Sequence, residues 1–177
     1  MRIAHIVLVL ALTATIAGAQ APPKVEDDHG ILNPDDTGRA MLVRKIEMGV
    51  IDSVTCSLGV NTSKYDDHYL ARRLATLCAE AGHTKAMTWM SHFEANGIGG
   101  EVNPVAAATW DKRAAEAGDP VGMYNYGLSL MRGLGIAMDQ ERGRQFIDQA
   151  AAQGLDVAKH LQDVGYDLGE ITPDAEE

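Results

Sequence analysis

Three glycines, Gly82, Gly118 and Gly154, stand 36 residues apart, and the residues around them keep the same register. Cys78-Ala79, Ala114-Ala115 and Ala150-Ala151 recur at that interval. So do Leu74, Trp110 and Phe146, and likewise Asp67, Asn103 and Asp139. On the other side of the glycines, Ala86 aligns with Gly122, Gly97 with Gly133 and Gly99 with Gly135. Self-similarity at such an interval is the signature of a stacked array, in which no unit buries its apolar face alone and each must lean on its neighbours.

Each unit reads as two helices. The second opens at Asp67, Asn103 or Asp139, whose side chains can accept hydrogen bonds from the free N–H groups of a first turn. Pro104 suits the first helical position. Ala107, Trp110 and Ala114 then recur at spacings of 3 and 4, one face of a helix. Gly118 closes that helix in a left-handed conformation, and Asp119-Pro120 opens the next, with Val121, Met123, Tyr126 and Leu130 as its apolar residues. Gly133 and Gly135 permit the tight crossing to Asp139. The alanine pairs suit a seam where helices approach closely, with Trp110 and Phe146 filling the wider space beside it.

Outside the repeats the chain has a different character. Arg2, an apolar run from Ile6 to Ile16 and the small residues Ala17-Gly18-Ala19 have the layout of a secretory signal peptide. The run is shorter than the roughly 20 residues that span a bilayer. Cleavage is expected after Ala19, with Ala19-Gln20-Ala21 the second candidate and an uncleaved anchor the alternative. Residues 20–38 hold Pro22, Pro23, Gly30, Pro34 and several acids and read as a leader. Residues 167–177 form an acidic tail.

The export signal gives the cysteines their meaning. Cys56 and Cys78 are the only two, both lie beyond the signal, and an even pair in an exported chain reads as one disulfide. It closes a loop of 22 residues, worth about 3 kcal/mol in the chain-entropy treatment. Removing Arg2 with the signal leaves 14 basic against 25 acidic residues, which argues against nucleic acid or an anionic membrane surface as partner. No stable membrane insertion is expected after cleavage.

These residues resemble the Sel-one-like repeat family, relatives of the tetratricopeptide repeats. One unit carries the pattern as Gly122, Tyr126, Gly127, Leu130, Gly133, Gly135, Ile136, Asp139, Gly143, Phe146, Ala150, Ala151 and Gly154. The unit before it departs: Ser91 and Glu94 stand where the pattern has Gly and Tyr, and Gly100 stands for Val. Gly122 and Gly143 replace the usual Ala. The resemblance is specific over residues 66–161 and weak before them. It implies an all-α fold: an α-α solenoid, a superhelix of antiparallel helix pairs of Sel-one-like or tetratricopeptide type. Repeats are expected at about 39–82, 83–118 and 119–154, with a closing helix over 155–166. It also implies adaptor roles, and some exported relatives carry a disulfide in each hairpin.

Because the motif residues are structural, the candidate site lies off the core face. On the first helices this leaves Trp89, His92 and Asn96 in one unit and Tyr124, Asn125, Leu128 and Arg132 in the next, which we assign to partner binding. Met87 and Met123 would add an adaptable rim. Leu74, Trp110 and Phe146 share one register and belong to the core. Asp66-Asp67-His68 reads as a helix start with acidic caps rather than a metal site. No catalytic residue, metal ligand set or cofactor is assigned: no paired CxxC, HExxH or triad spacing appears, and Ser53, Ser57, Ser91 and Ser129 have no activating context. The expected role is an exported, periplasmic or secreted adaptor holding a protein or peptide on the concave face of the array. The alternatives are a regulatory inhibitor of a membrane sensor and a hydrolase of cell-wall or β-lactam compounds.

Overall fold

The structure is a computed structural model that describes residues 38–62 and 67–170, so the expected signal peptide, most of the leader and the last residues of the tail lie outside the described residues. Eight helices follow one another among them: α1 (Gly38–Glu47), α2 (Ser53–Thr62), α3 (His68–Glu80), α4 (Thr84–Asn96), α5 (Pro104–Glu116), α6 (Pro120–Arg132), α7 (Gln140–Ala152) and α8 (Asp156–Asp163). Each packs on the next, and the first helices of successive pairs also meet, α2 on α4 and α4 on α6. This is a helical solenoid with three pairs, α2–α3, α4–α5 and α6–α7, closed by α8.

The caps follow the repeat. The Asp67, Asn103 and Asp139 side chains accept from the N–H groups of Leu70, Ala106 and Arg142 at 3.0–3.1 Å. Asp119 accepts from both Val121 and Gly122. His83, which occupies the register of Asp119, makes no side-chain cap bond. Gly82, Gly118 and Gly154 take φ of +94°, +88° and +96°, the left-handed exits expected of them.

The first unit departs from the sequence reading. Residues 39–82 hold not one helix pair but three helices, because α1 precedes the α2–α3 hairpin. Leu42 and Ile46 on α1 are buried in the same core as Leu70, Leu74 and Met90. Val121 also departs from its expected place: it is exposed at the start of α6, while Met123, Tyr126 and Leu130 go inside.

The alanine seam is where the stacking is visible. Ala79, Ala114 and Ala150 are fully buried. Ala114 belongs to the core shared by α1 to α4, whereas its neighbour Ala115 belongs to the core of α6 to α8. One turn of α5 therefore serves two adjacent cores, which is how a quasi-linear array stays continuous. Leu74 is buried, and Trp110 and Phe146 pack half-buried against these cores. The Arg113 guanidinium covers the Trp110 ring at 4.2 Å, and Tyr126 meets Phe146 edge-on at 4.9 Å.

Candidate functional site

The seven residues assigned to partner binding lie on α4 and α6, two neighbouring first helices, but they do not share one environment. His92, Asn96 and Arg132 are exposed. Trp89, Tyr124 and Leu128 are half-buried and lean on the core, Trp89 on the first and the other two on the second. Trp89 stands edge-on to Phe93 at 5.8 Å and to His92 at 5.9 Å, so its ring is held in place. Asn96 donates to the His92 carbonyl at 2.9 Å, and its amide nitrogen lies 3.1 Å from His92 Nδ1. Burial raises the Tyr124 phenol above its ordinary range, and the Arg132 charge acts against that rise. Met87 and Met123, expected as a rim, are instead core residues, 5% and 8% exposed. Helical geometry turns both inward, where the pliable thioether fills space between helices.

Asn125 is tied into something the sequence reading missed. It donates to Asp111 Oδ1 at 3.3 Å, while the Ser91 hydroxyl donates to Asp111 Oδ2 at 2.6 Å. Asp111 is only 4% exposed. Burial pushes its carboxyl up to about 6, against the opposing pull of the Ser91 and Asn125 hydrogen bonds. Asp111 thus joins α4, α5 and α6 through one side chain. The signal was present in the register: Asp111 occupies the place of buried Ile147, and Ser91 that of Gly127. A second polar replacement accompanies it. Glu94, in the register of Leu130, pairs with Arg72 of α3, whose guanidinium also donates to the Ile98 carbonyl at 3.0 Å. The loop after α4 is thereby tied to the preceding hairpin.

Asp67 caps α3, whereas Asp66 lies outside the described residues. Among the described residues no group of three or more His, Cys, Asp or Glu is placed to hold a metal. Cys56 on α2 and Cys78 on α3 form the disulfide, their Cα atoms 5.8 Å apart. No described helix is long and apolar enough to cross a membrane.

The Sel1 repeat family model matches residues 84–119 and 120–155, units one residue later than the sequence reading placed them. These residues are two Sel1 repeats. The helices of the chain superpose on the crystal structure of a Sel1 repeat protein from Oxalobacter formigenes with a TM-score of 0.60 at 29% identity, over 71% of this chain and 98% of that one. They also match c5321, a protective antigen of uropathogenic Escherichia coli with an SLR fold, with a TM-score of 0.61 at 22% identity. That match covers 71% of this chain and 28% of the larger protein. Helicobacter pylori cysteine rich protein B matches with a TM-score of 0.58 at 17% identity, over 72% of this chain and 98% of that one. The last two likenesses concern the fold alone. A Sel1-repeat solenoid is consistent with a scaffold for protein interactions.

Proposed function

We propose that this protein is an exported adaptor, periplasmic or secreted, that holds a protein or peptide on the face built by its first helices. The observation that carries this reading is the juxtaposition of α4 and α6. Their packed sides anchor Trp89, Tyr124 and Leu128 as partly exposed apolar groups, while His92, Asn96 and Arg132 stand exposed around them. Rigid aromatic anchors with a polar surround are the composition of an interaction surface. In arrays of stacked helix pairs the curvature makes such a face the extended binding surface. The disulfide agrees with an oxidising compartment.

The test separates binding from folding. Crosslinked capture from the exported fraction, followed by mass spectrometry, identifies the prey. The same prey is then quantified with a triple variant, His92→Ala, Asn96→Ala and Arg132→Ala, and with Trp89→Ala and Tyr124→Ala. The triple variant is expected to melt with the parent and to lose most of the prey. The aromatic variants are expected to lose more prey than thermal stability. Capture unchanged across all of them would place the partner elsewhere. An N-terminal sequence beginning at Gln20 on the exported protein would establish the cleavage.

A further inference from the structure

We infer that Asp111 is a proton-operated switch beneath the first-helix face: taking up a proton turns over the Asn125 side-chain amide, so that the face offers a partner an N–H donor where it otherwise offers a carbonyl acceptor. The inference rests on the adaptor reading for the partner and adds the regulation of that face.

A short polar chain runs from the core to the face. Asp111 on α5 is 4% exposed, yet two other helices hold its two oxygens. Ser91 of α4, itself buried, donates to Oδ2 at 2.6 Å, and Asn125 of α6 donates to Oδ1 at 3.3 Å. Asn125 is half-buried, beside Tyr124 and one turn from Leu128. With its nitrogen turned in toward Asp111, the amide keeps its carbonyl for whatever covers the face.

An ionised carboxylate only accepts hydrogen bonds, whereas a protonated one must donate through one oxygen. The two oxygens of Asp111 are not equivalent. The shorter bond from Ser91 satisfies Oδ2 better, so Oδ1 is the more basic and takes the proton. Its O–H then opposes the Asn125 N–H, two donors face to face. A half-turn of the amide replaces that opposition with an O–H donating from Asp111 to the Asn125 carbonyl, and the nitrogen turns outward. The proton comes from water, no covalent bond of the chain changes, and Ser91 keeps its acceptor.

The charged neighbours are engaged elsewhere. α5 packs on α4 and α6. On α4, Lys85 and His92 are exposed and Glu94 is bound to Arg72 of α3. On α5, Lys112 pairs with Glu116, and Arg113 covers the Trp110 ring. On α6, Tyr126 meets Phe146, and the Arg132 charge acts on Tyr124. Burial therefore governs Asp111 and pushes its carboxyl up to about 6 against the pull of its two hydrogen bonds. Raised in this way, it is ionised at pH 7.5 and protonated at pH 4.5.

The exported protein, isotopically labelled, is titrated from pH 7.5 to 4.5 by NMR, following the Asp111 carboxyl carbon and the Asn125 side-chain amide. The Asn125 signals are expected to move with the midpoint of Asp111, and the amide protons to lose their proximity to Asp111 in acid. Asp111→Asn can keep Ser91 on its oxygen and point its own nitrogen at Asn125, so it is expected to hold Asn125 in the acid position at both pH values. Asn125 signals that stay fixed while Asp111 titrates would show that Ser91 turns instead and would overturn the inference. So would an unmoved Asn125 in Asp111→Asn. Prey from the exported fraction is then captured at both pH values. The parent is expected to hold at least about fivefold more at pH 7.5, because in acid a partner donor meets another donor. Asp111→Asn is expected to hold equally little at both. A pH ratio that persists in Asp111→Asn would assign the dependence to another group, such as His92, and overturn the coupling. Equal capture by the parent at both pH values would overturn it too, while keeping the adaptor reading. A turning amide with no prey at either pH would instead reject the adaptor reading and support the switch itself.

Discussion

Asp111 is a carboxylate where the neighbouring repeat keeps an isoleucine, and its burial has a direction that pH can test. Its folded pKa, about 6, lies above the ordinary 3.8 because burial disfavours the charged form. A carboxyl raised in this way binds its proton more tightly in the folded than in the unfolded state. Its contribution therefore falls as pH rises from about 4 to about 6, and above that the charged form costs on the order of 2–3 kcal/mol relative to the protonated one. Asp111→Asn removes the titration while keeping polar atoms near Ser91 and Asn125. The variant is expected to melt no lower than the parent at pH 7.5 and to lose ground to it as the pH falls to 4.5. Parallel melting curves across that range would show that the two hydrogen bonds, not burial, govern the site. The register sets Asp111 against Ile147, a signal the sequence analysis does not take up. What Asp111 touches depended on how α4 and α6 turn toward α5, which no spacing within one helix conveys.

Among the helices, close approach is made by Gly127, which the repeat pattern keeps, and by Gly122 and Gly143, where the pattern usually has Ala. A methyl group at Gly127 would stand 2.8 Å from the Gly143 carbonyl oxygen and 2.9 Å from Ile147 Cγ1. One at Gly122 would meet Ala114 Cβ at 2.4 Å. The usual alanine at the positions of Gly122 and Gly143 is therefore excluded by the packing of α6 between α5 and α7. In a solvated helix Gly→Ala gains up to about 1 kcal/mol. Here the obstacle at Gly127 includes backbone, which yields little, so Gly127→Ala is expected to lose about 1–3 kcal/mol net, measured by chemical denaturation. A gain would mean that α6 and α7 separate freely. Where a helix begins and ends was legible in the sequence, because capping is chemistry between near neighbours: Asp67, Asn103, Asp119 and Asp139 each act within three residues. How near two helices come was not, because it depends on both surfaces.

Across the whole molecule, stability is expected to be local. Each helix touches mainly its sequence neighbours, so the array behaves as coupled segments rather than one indivisible core. The disulfide closes its 22-residue loop near one end. Replacing both Cys56 and Cys78 by Ser is expected to cost up to about 3 kcal/mol and to concentrate the loss there. Hydrogen exchange should show α1 to α3 losing protection while α6 and α7 keep theirs. Uniform loss along the chain would show that the solenoid opens as one unit. The same locality explains why the far end needs closure. Ala158 and Leu161 of α8 bury against the last pair, and Tyr166, in a left-handed conformation at φ +62°, turns back to donate to Asp148.

The 36-residue register by itself determined that the chain forms stacked helix pairs, where the caps fall and which small residues share the seam. Those features repeat because each depends on a few neighbours and on the unit next door. Tertiary structure alone decided that α1 joins the array, that Met87 and Met123 turn inward, and that Trp89 and Tyr124 lean on the core instead of standing clear. It also decided that Asp111 finds partners on two other helices. The reason is one of range. Periodicity reports which face of a helix is apolar, but burial of a particular atom depends on the separation and rotation of helices distant in sequence, and the residues that break the repeat are those whose partners lie there.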